Sequence, residues 1–160
     1  MKSRLARIRL LGLDVDGVLT DGKLWYGPDG EIWKAFHVRD GLGVKLLQQR
    51  GVEVAVVSAR SSDALLRRLQ DLRVRHIHVG REDKWPALQE TMRELGVVAS
   101  EVAFVGDDVL DLPVMREVGL AIAVADAHGE VLGAADWVTT LPGGCGAVRE
   151  VADAILAERA

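Results

Sequence analysis

Between Ile8 and Gly22 the chain reads IRLLGLDVDGVLTDG, an apolar run that stops abruptly at two aspartates one residue apart. Ile8, Leu10, Leu11 and Leu13, bounded by charge on one side and Gly17 on the other, read as a buried parallel strand whose end delivers carboxylates to a loop. Such strand-end loops are where α/β sheets place their chemistry. In an extended segment alternate side chains share a face, so Asp14 and Asp16 point the same way while Val15 turns into the core.

Two anions held that close repel unless a cation lies between them or one takes a proton. Both remedies suit phosphoryl transfer. Mg²⁺ prefers oxygen ligands, one ionised aspartate can attack phosphorus, and a protonated one can supply the leaving group's proton. An acidic turn without chemistry is the plainer reading of two such aspartates taken alone.

At 160 residues and 49% hydrophobic, the chain is expected to form one domain, residues 1–160, with a full core. A net charge of −4 with both signs interspersed argues against a nucleic-acid surface. The single cysteine, Cys145, cannot form an intramolecular disulfide, which fits a reducing compartment. Asp14 and Asp16 interrupt the first apolar run too early for a signal peptide, and no later run could span a bilayer. The expectation is a cytoplasmic protein without a membrane or nucleic-acid partner.

After Asp21 comes GKLWYGPDGEIWKAF, two apolar-rich runs around Gly27-Pro28-Asp29-Gly30, which reads as a β-hairpin over about residues 22–36. Alternation puts Leu24 and Tyr26 on one face and Trp25 on the other, then Ile32, Lys34 and Phe36 opposite Trp33. Both faces carry bulk, and a lone hairpin has no second core, so it is expected to pack against other copies of the chain.

From Asp40 strands and helices alternate. A helix ends at Gly51; VEVAVVS is a buried strand; Ser61, Ser62 and Asp63 can cap a helix carrying Leu65, Leu66 and Leu69; a short strand covers His76 to Val79. Next come a helix from Asp83 to Leu95, the strand VAFVG, a helix around Leu112 to Val118, short strands at Leu120 to Val124 and Trp137 to Thr139, and a final helix from about Ala147 to Ala157. This order calls for a Rossmann-like α/β fold, a parallel sheet with helices on both faces. Such a sheet gathers Asp14, Asp16, Ser58, Asp107 and Asp108 on one edge, with Lys84 beside them. Nucleophile, hydroxyl, cation and further carboxylates then share one pocket.

Those residues carry a resemblance. With DVDGVLTDG, the serine of VVSAR, Lys84 and GDDVLD, the chain resembles phosphatases of the haloacid dehalogenase superfamily from about Arg9 to Val151. Through AFHVRDG, GDDVLDLPVMREVGLAIAVADAH and GGCGAVREV it is similar to one family within it, the 3-deoxy-D-manno-octulosonate 8-phosphate phosphatases. The resemblance implies Asp14 as nucleophile and Asp16 as general acid and base. It implies Mg²⁺ held by Asp14, the backbone carbonyl of Asp16, and Asp107, with Asp108 and Asp111 supporting the loop. Ser58 and Lys84 would bind the phosphoryl oxygens. The sugar acid would meet Asp16, the segment His37, Val38, Arg39, Asp40 and Gly41, and Lys45, Arg60, Arg68 and Lys84. His37 stands where the family commonly has asparagine, Lys45 where arginine is frequent, and Ala59 where glycine usually follows the serine or threonine.

Only 36 residues separate Asp21 from Ser58 and 22 separate Lys84 from Asp107, so no inserted cap domain fits. The resemblance implies that the hairpin builds a homotetramer in which a neighbour covers the pocket. The glycine-rich stretch Gly143-Gly144-Cys145-Gly146, at the head of a tail of about residues 142–160, reads as a mobile lid. A phosphatase for a nine-carbon sialic-acid-type 9-phosphate and a non-catalytic oligomerisation module of the same fold are the competing readings. A receiver domain is disfavoured because its acidic pair is normally adjacent.

Overall fold

Residues 1–159 are described by a computed structural model of the chain. A short helix α1 (Lys2–Leu5) leads into β1 (Leu10–Leu13), whose four residues are all buried. The expected hairpin forms from β2 (Trp25–Gly27) and β3 (Gly30–Trp33), pairing Trp25 with Trp33 and Tyr26 with Glu31. There follow α2 (Val38–Gln49), β4 (Glu53–Ser58), α3 (Asp63–Asp71), β5 (His76–Val79), α4 (Lys84–Leu95) and β6 (Val102–Gly106). The chain continues through α5 (Leu112–Met115), β7 (Leu120–Ala123), α6 (Gly129–Ala134), β8 (Trp137–Val138) and α7 (Ala147–Ala157).

Local chemistry sets several of these limits. α2 begins ahead of the expected Asp40 because His37 caps it, its Nδ1 accepting the Arg39 backbone N–H at 3.2 Å. Ser62 caps α3 through a 3.3 Å bond from the Leu65 N–H. α5 stops at Met115, short of Val118, and α1 and α6 are additions to the expected elements.

Six strands form one parallel sheet in the order β5-β4-β1-β6-β7-β8. β1 is central, Leu13 lying beside Val56 on one flank and Val105 on the other. The chain winds outward from it in both directions, so the switch of strand order falls at the carboxyl end of β1. Phe104 packs directly over Gly12, where a Cβ would come within 2.6 Å of the ring. No helix among the described residues is long and apolar enough to cross a membrane.

The hairpin is inverted relative to a normal surface hairpin. Trp25, Tyr26, Ile32 and Trp33 are exposed, Trp33 to 71%, while the side chains of Glu31 and Lys34 are only 8% and 1% exposed. The glycine-rich tail lies against the loop after β1. The Gly144 N–H donates to the Val18 carbonyl at 2.9 Å, and the Gly143 N–H donates to Asp126 Oδ1 at 2.9 Å. A Cβ on Gly143 would fall 1.7 Å from the Gly17 carbonyl oxygen, and one on Gly144 2.4 Å from the Asp21 nitrogen. The glycines therefore let two backbones touch, and in this conformation the stretch braces the loop after β1.

Asp40 completes this brace. Its buried carboxylate accepts the Gly146 N–H at 3.2 Å and the Arg149 N–H at 2.9 Å, fastening α2 to the start of α7. α7 in turn buries Val148, Val151, Ala152 and Ile155 in the core. Asp40→Ala leaves both amides without an acceptor and is expected to lower stability by about 2 to 3 kcal/mol, with roughly half that loss for Asp40→Asn. Urea unfolding of the two variants measures it; equal stability of Asp40→Ala and the parent would remove the brace.

Candidate active site

The loop after β1 is built to present its carboxylates. Val15 is buried, as alternation requires, and its carbonyl receives the N–H groups of Val18, Leu19 and Thr20. Gly17 adopts φ +92°, and a Cβ there would sit 1.9 Å from Asp107 Oδ2. This glycine is what allows the loop after β6 to close on the loop after β1. Gly106 does the same for Asp111, whose Cβ would lie 2.6 Å from an added methyl.

Lys84, at the first turn of α4, reaches into the pocket with its side chain 3% exposed. Its ammonium bridges Asp14 Oδ1 at 2.8 Å and Asp111 Oδ1 at 2.6 Å. The second oxygen of Asp111 accepts the backbone N–H groups of Asp107 at 2.9 Å and Asp108 at 3.3 Å. Asp111 is thus fully engaged in shaping the loop. Carboxylate oxygens of Asp14, Asp107 and Asp111 all lie within 4.8 Å of one another, and Asp107 Oδ1 is buried without a hydrogen-bond partner.

Crowding sets the electrostatics. Burial, then repulsion from Asp111, pushes the Asp14 carboxyl up to about 6 despite Lys84 beside it. Burial, then the Asp14 and Asp111 charges, pushes Asp107 up to about 8. Burial opposes the charge on Lys84, yet Asp14 and Asp111 outweigh it and hold the ammonium above the ordinary lysine value. One cation shared among three carboxylates leaves an excess of negative charge that a divalent cation on oxygen ligands would neutralise.

The expected site residues fall into three groups. Asp14, Asp16, Ser58, Lys84 and Asp107 converge at the carboxyl ends of β1, β4 and β6. Ser58 is buried, and its Oγ accepts the Arg60 N–H at 3.2 Å, leaving the hydroxyl proton free to donate. Arg60 leans over this edge, Nε lying 3.6 Å from Asp16 Oδ2 while its outer nitrogen donates to Tyr26 at 2.9 Å and Glu31 at 3.1 Å. Arg68 forms the second group with His37, Asp40 and Gly41, around a small hollow closed by Leu19 and Phe36. Its guanidinium lies 5.8 Å from the Phe36 ring centroid, a cation–π contact. Val38 and Arg39 are exposed on the rim.

Lys45 stands apart. It is exposed two turns along α2, over a surface hollow shared with Gln48, Asp71 and Arg73, and one subunit does not bring it to the catalytic edge. Conversely, Lys34 is a site residue that sequence reasoning passed over: its ammonium is ion-paired with Asp16 Oδ1 and with Glu31 Oε1. The usable signal was the hairpin's alternation, which puts a lysine on the same face as Phe36.

Residues 76–146 match the family model of haloacid dehalogenase-like hydrolases. The 3-deoxy-D-manno-octulosonate 8-phosphate phosphatase of Yersinia pestis is 46% identical over 153 residues, covering 96% of this chain and 82% of the relative. A crystal structure of the enzyme of that name from Moraxella catarrhalis, in complex with magnesium ion, phosphate ion and KDO, superposes with a TM-score of 0.95 at 40% identity, covering 99% of this chain and 91% of the other. A cobalt-bound form of the Haemophilus influenzae phosphatase matches with a TM-score of 0.95 at 45% identity, over 98% of this chain and 91% of the other. With the convergence of Asp14, Lys84 and Asp107 at one sheet edge, this likeness along nearly the whole chain places the protein in the haloacid dehalogenase superfamily, as a member of its 3-deoxy-D-manno-octulosonate 8-phosphate phosphatase family of phosphoric monoester hydrolases.

Proposed function

We propose that this chain hydrolyses 3-deoxy-D-manno-octulosonate 8-phosphate to the free sugar acid and phosphate with Mg²⁺, in the making of lipopolysaccharide precursors. The observation that carries the reading is the Asp14, Asp107 and Asp111 cluster with Lys84 lodged inside it. Family membership supplies the substrate class. The reaction belongs in the cytoplasm, where the unpaired Cys145 stays reduced.

The donor set fits the ion: it is all oxygen, it is over-supplied with negative charge, and Asp107 Oδ1 lacks any other partner. Asp14, Asp107 and the backbone carbonyl of Asp16 would hold it. When bound, Mg²⁺ screens the repulsion between the anionic nucleophile and the anionic ester.

Lys84 orients the Asp14 carboxylate, and with Ser58 it binds the phosphoryl oxygens. An Asp14 oxygen attacks phosphorus, the bond from phosphorus to the sugar oxygen breaks, and Asp16 gives its proton to that oxygen. Asp16 then takes a proton from the water that attacks the phosphoaspartate; the bond to Asp14 breaks, and phosphate leaves with Asp14 restored. The sugar acid's carboxylate and hydroxyls meet Arg60, Arg68 and the segment His37 to Gly41, where a planar guanidinium can grip a carboxylate with two parallel bonds. Lys45 would serve the same pocket across a subunit boundary.

A folded Asp14→Asn protein is expected to release no phosphate, and a screen of sugar-acid phosphates is expected to favour the eight-carbon 8-phosphate. Preference for a nine-carbon 9-phosphate would reassign the substrate and keep the mechanism. Phosphate release unaffected by Asp14→Asn would overturn the mechanism itself.

The acid groups also tie stability to pH. Because folding raises the Asp14 and Asp107 values, the cation-free folded state holds protons that the unfolded chain gives up, so its stability is expected to fall as pH rises from about 4 to about 8. Mg²⁺ binds the ionised carboxylates, so the gain in melting temperature over protein in EDTA should grow across the same range. A gain that is equal at pH 5 and pH 8 would contradict this site.

Self-assembly completes the reading. Trp25, Tyr26, Ile32 and Trp33 leave apolar bulk exposed on the hairpin that a homotetramer would bury, bringing a neighbour over the pocket. Light scattering is expected to give a tetramer; a lone monomer at micromolar concentration would end this part of the proposal.

A further inference from the structure

The inverted hairpin delivers charge to the catalytic edge. The ammonium of Lys34, on a side chain only 1% exposed, is paired with Asp16 Oδ1 and lies 2.9 Å from Glu31 Oε1. The other Glu31 oxygen accepts from Arg60 at 3.1 Å, and Arg60 Nε lies 3.6 Å from Asp16 Oδ2 without a hydrogen bond. Two cations and two anions thus alternate in a closed ring whose members come from the loop after β1, the hairpin and the segment after β4. An ammonium this deeply buried requires matched anions, since breaking such a pair leaves a desolvated charge behind.

The two oxygens of Asp16 are unequal in consequence. Oδ1 is anchored by Lys34, whereas Oδ2 is buried with no hydrogen-bond partner. Anchoring one oxygen of a planar carboxylate fixes the direction of the other. Lys34 has no surface to offer a substrate, so an effect it has on turnover passes through its anion partners, directly through Asp16 or through Glu31, which also holds Arg60.

We propose that Lys34, held in turn by Glu31, is a positioning residue for proton transfer: it orients the Asp16 carboxylate so that Oδ2 is the oxygen that gives and takes the proton. The inference rests on Asp16 being the acid and base of the proposed function. It makes the hairpin part of the catalytic apparatus of its own subunit, separately from any role in assembly.

Leaving-group chemistry tests it. A sugar phosphate expels a poor leaving group that needs the proton; an aryl phosphate such as p-nitrophenyl phosphate expels a good one that does not. Lys34→Met is expected to lower kcat on the sugar phosphate about 30-fold, a part of the roughly 100- to 10,000-fold that a positioned general acid contributes, with KM within about 2-fold. Nitrophenolate release in the first turnover should fall less than about 3-fold, because that step does not call on the acid. Lys34→Arg should recover most of the lost kcat. Equal loss on both esters in the first turnover, or unchanged kcat on the sugar phosphate, would overturn the positioning role. If Lys34→Met does not fold, Glu31→Gln, which loosens Lys34 while keeping the ammonium but also releases Arg60, must show the same discrimination between esters in kcat at saturating substrate, at smaller size, and its absence there is equally decisive. Asp16→Asn measured alongside separates the two failures. Discrimination in Asp16→Asn but not in the Lys34 or Glu31 variants overturns the role of Lys34 alone, and discrimination in none of them overturns the acid–base reading and this role with it.

Discussion

Three carboxylates compete for one ammonium at the carboxyl end of the central strands, and the rest of the site is arranged around that competition. Lys84 satisfies Asp14 and Asp111 together, and Asp111 spends its remaining oxygen on the backbone of Asp107 and Asp108. Asp107 is left crowded against Asp14 with a buried oxygen unpaired. The arrangement is unfavourable in isolation, since like charges in a low-dielectric pocket drive the carboxyls toward their neutral forms. It is held by two glycines. Gly17 and Gly106 have no Cβ where a Cβ would strike Asp107 and Asp111 respectively, so the close approach of the two loops is fixed by backbone as much as by charge.

This centre was legible in the sequence because a parallel sheet leaves little freedom in where strand ends go. Once Leu10 to Leu13, Val52 to Ser58 and VAFVG are read as buried strands in alternation with helices, Asp14, Ser58 and Asp107 must share an edge. The order of strands was not legible, because it depends on which direction each crossover takes. Nor was the facing of the hairpin. Alternation put Lys34 and Trp33 on opposite faces, but which face turns inward is decided by Asp16 and Arg60, residues that the sequence places well away on either side. The packing of the tail was not legible for a related reason. Glycine serves both mobility and close approach, and only the Gly17 carbonyl and the Thr20 to Asp21 backbone lying against it show the close approach.

A phosphatase without a cap domain has to hold its first loop by other means, and here the loop is held from several sides. Lys34 reaches it from the hairpin, Gly144 bonds to Val18 from the tail, and Asp107 closes on Gly17 from β6. Asp40 then locks the tail to α2, so the strut cannot swing away without uncapping α7. In the proposed reaction, the Asp16 carboxylate must be held to a fraction of an ångström beside Asp14 for proton transfer to keep pace with phosphorus chemistry. Fasteners drawn from elements distant in sequence supply that restraint.

The same ring of charges divides labour between its two cations. Lys34 has a side chain almost without solvent contact, whereas the Arg60 side chain is 40% exposed and held by Tyr26 and Glu31 at its outer nitrogen. A buried ammonium with matched anions has nowhere to go, and moving it would strand a charge. A half-exposed guanidinium can exchange its partners for a substrate carboxylate at little cost, since both are planar and the fork geometry is preserved. In the proposed reaction, burial thus suits Lys34 to holding Asp16 and Arg60 to meeting the sugar acid. Glu31 belongs to both, so occupancy at Arg60 and the hold on Asp16 share one carboxylate.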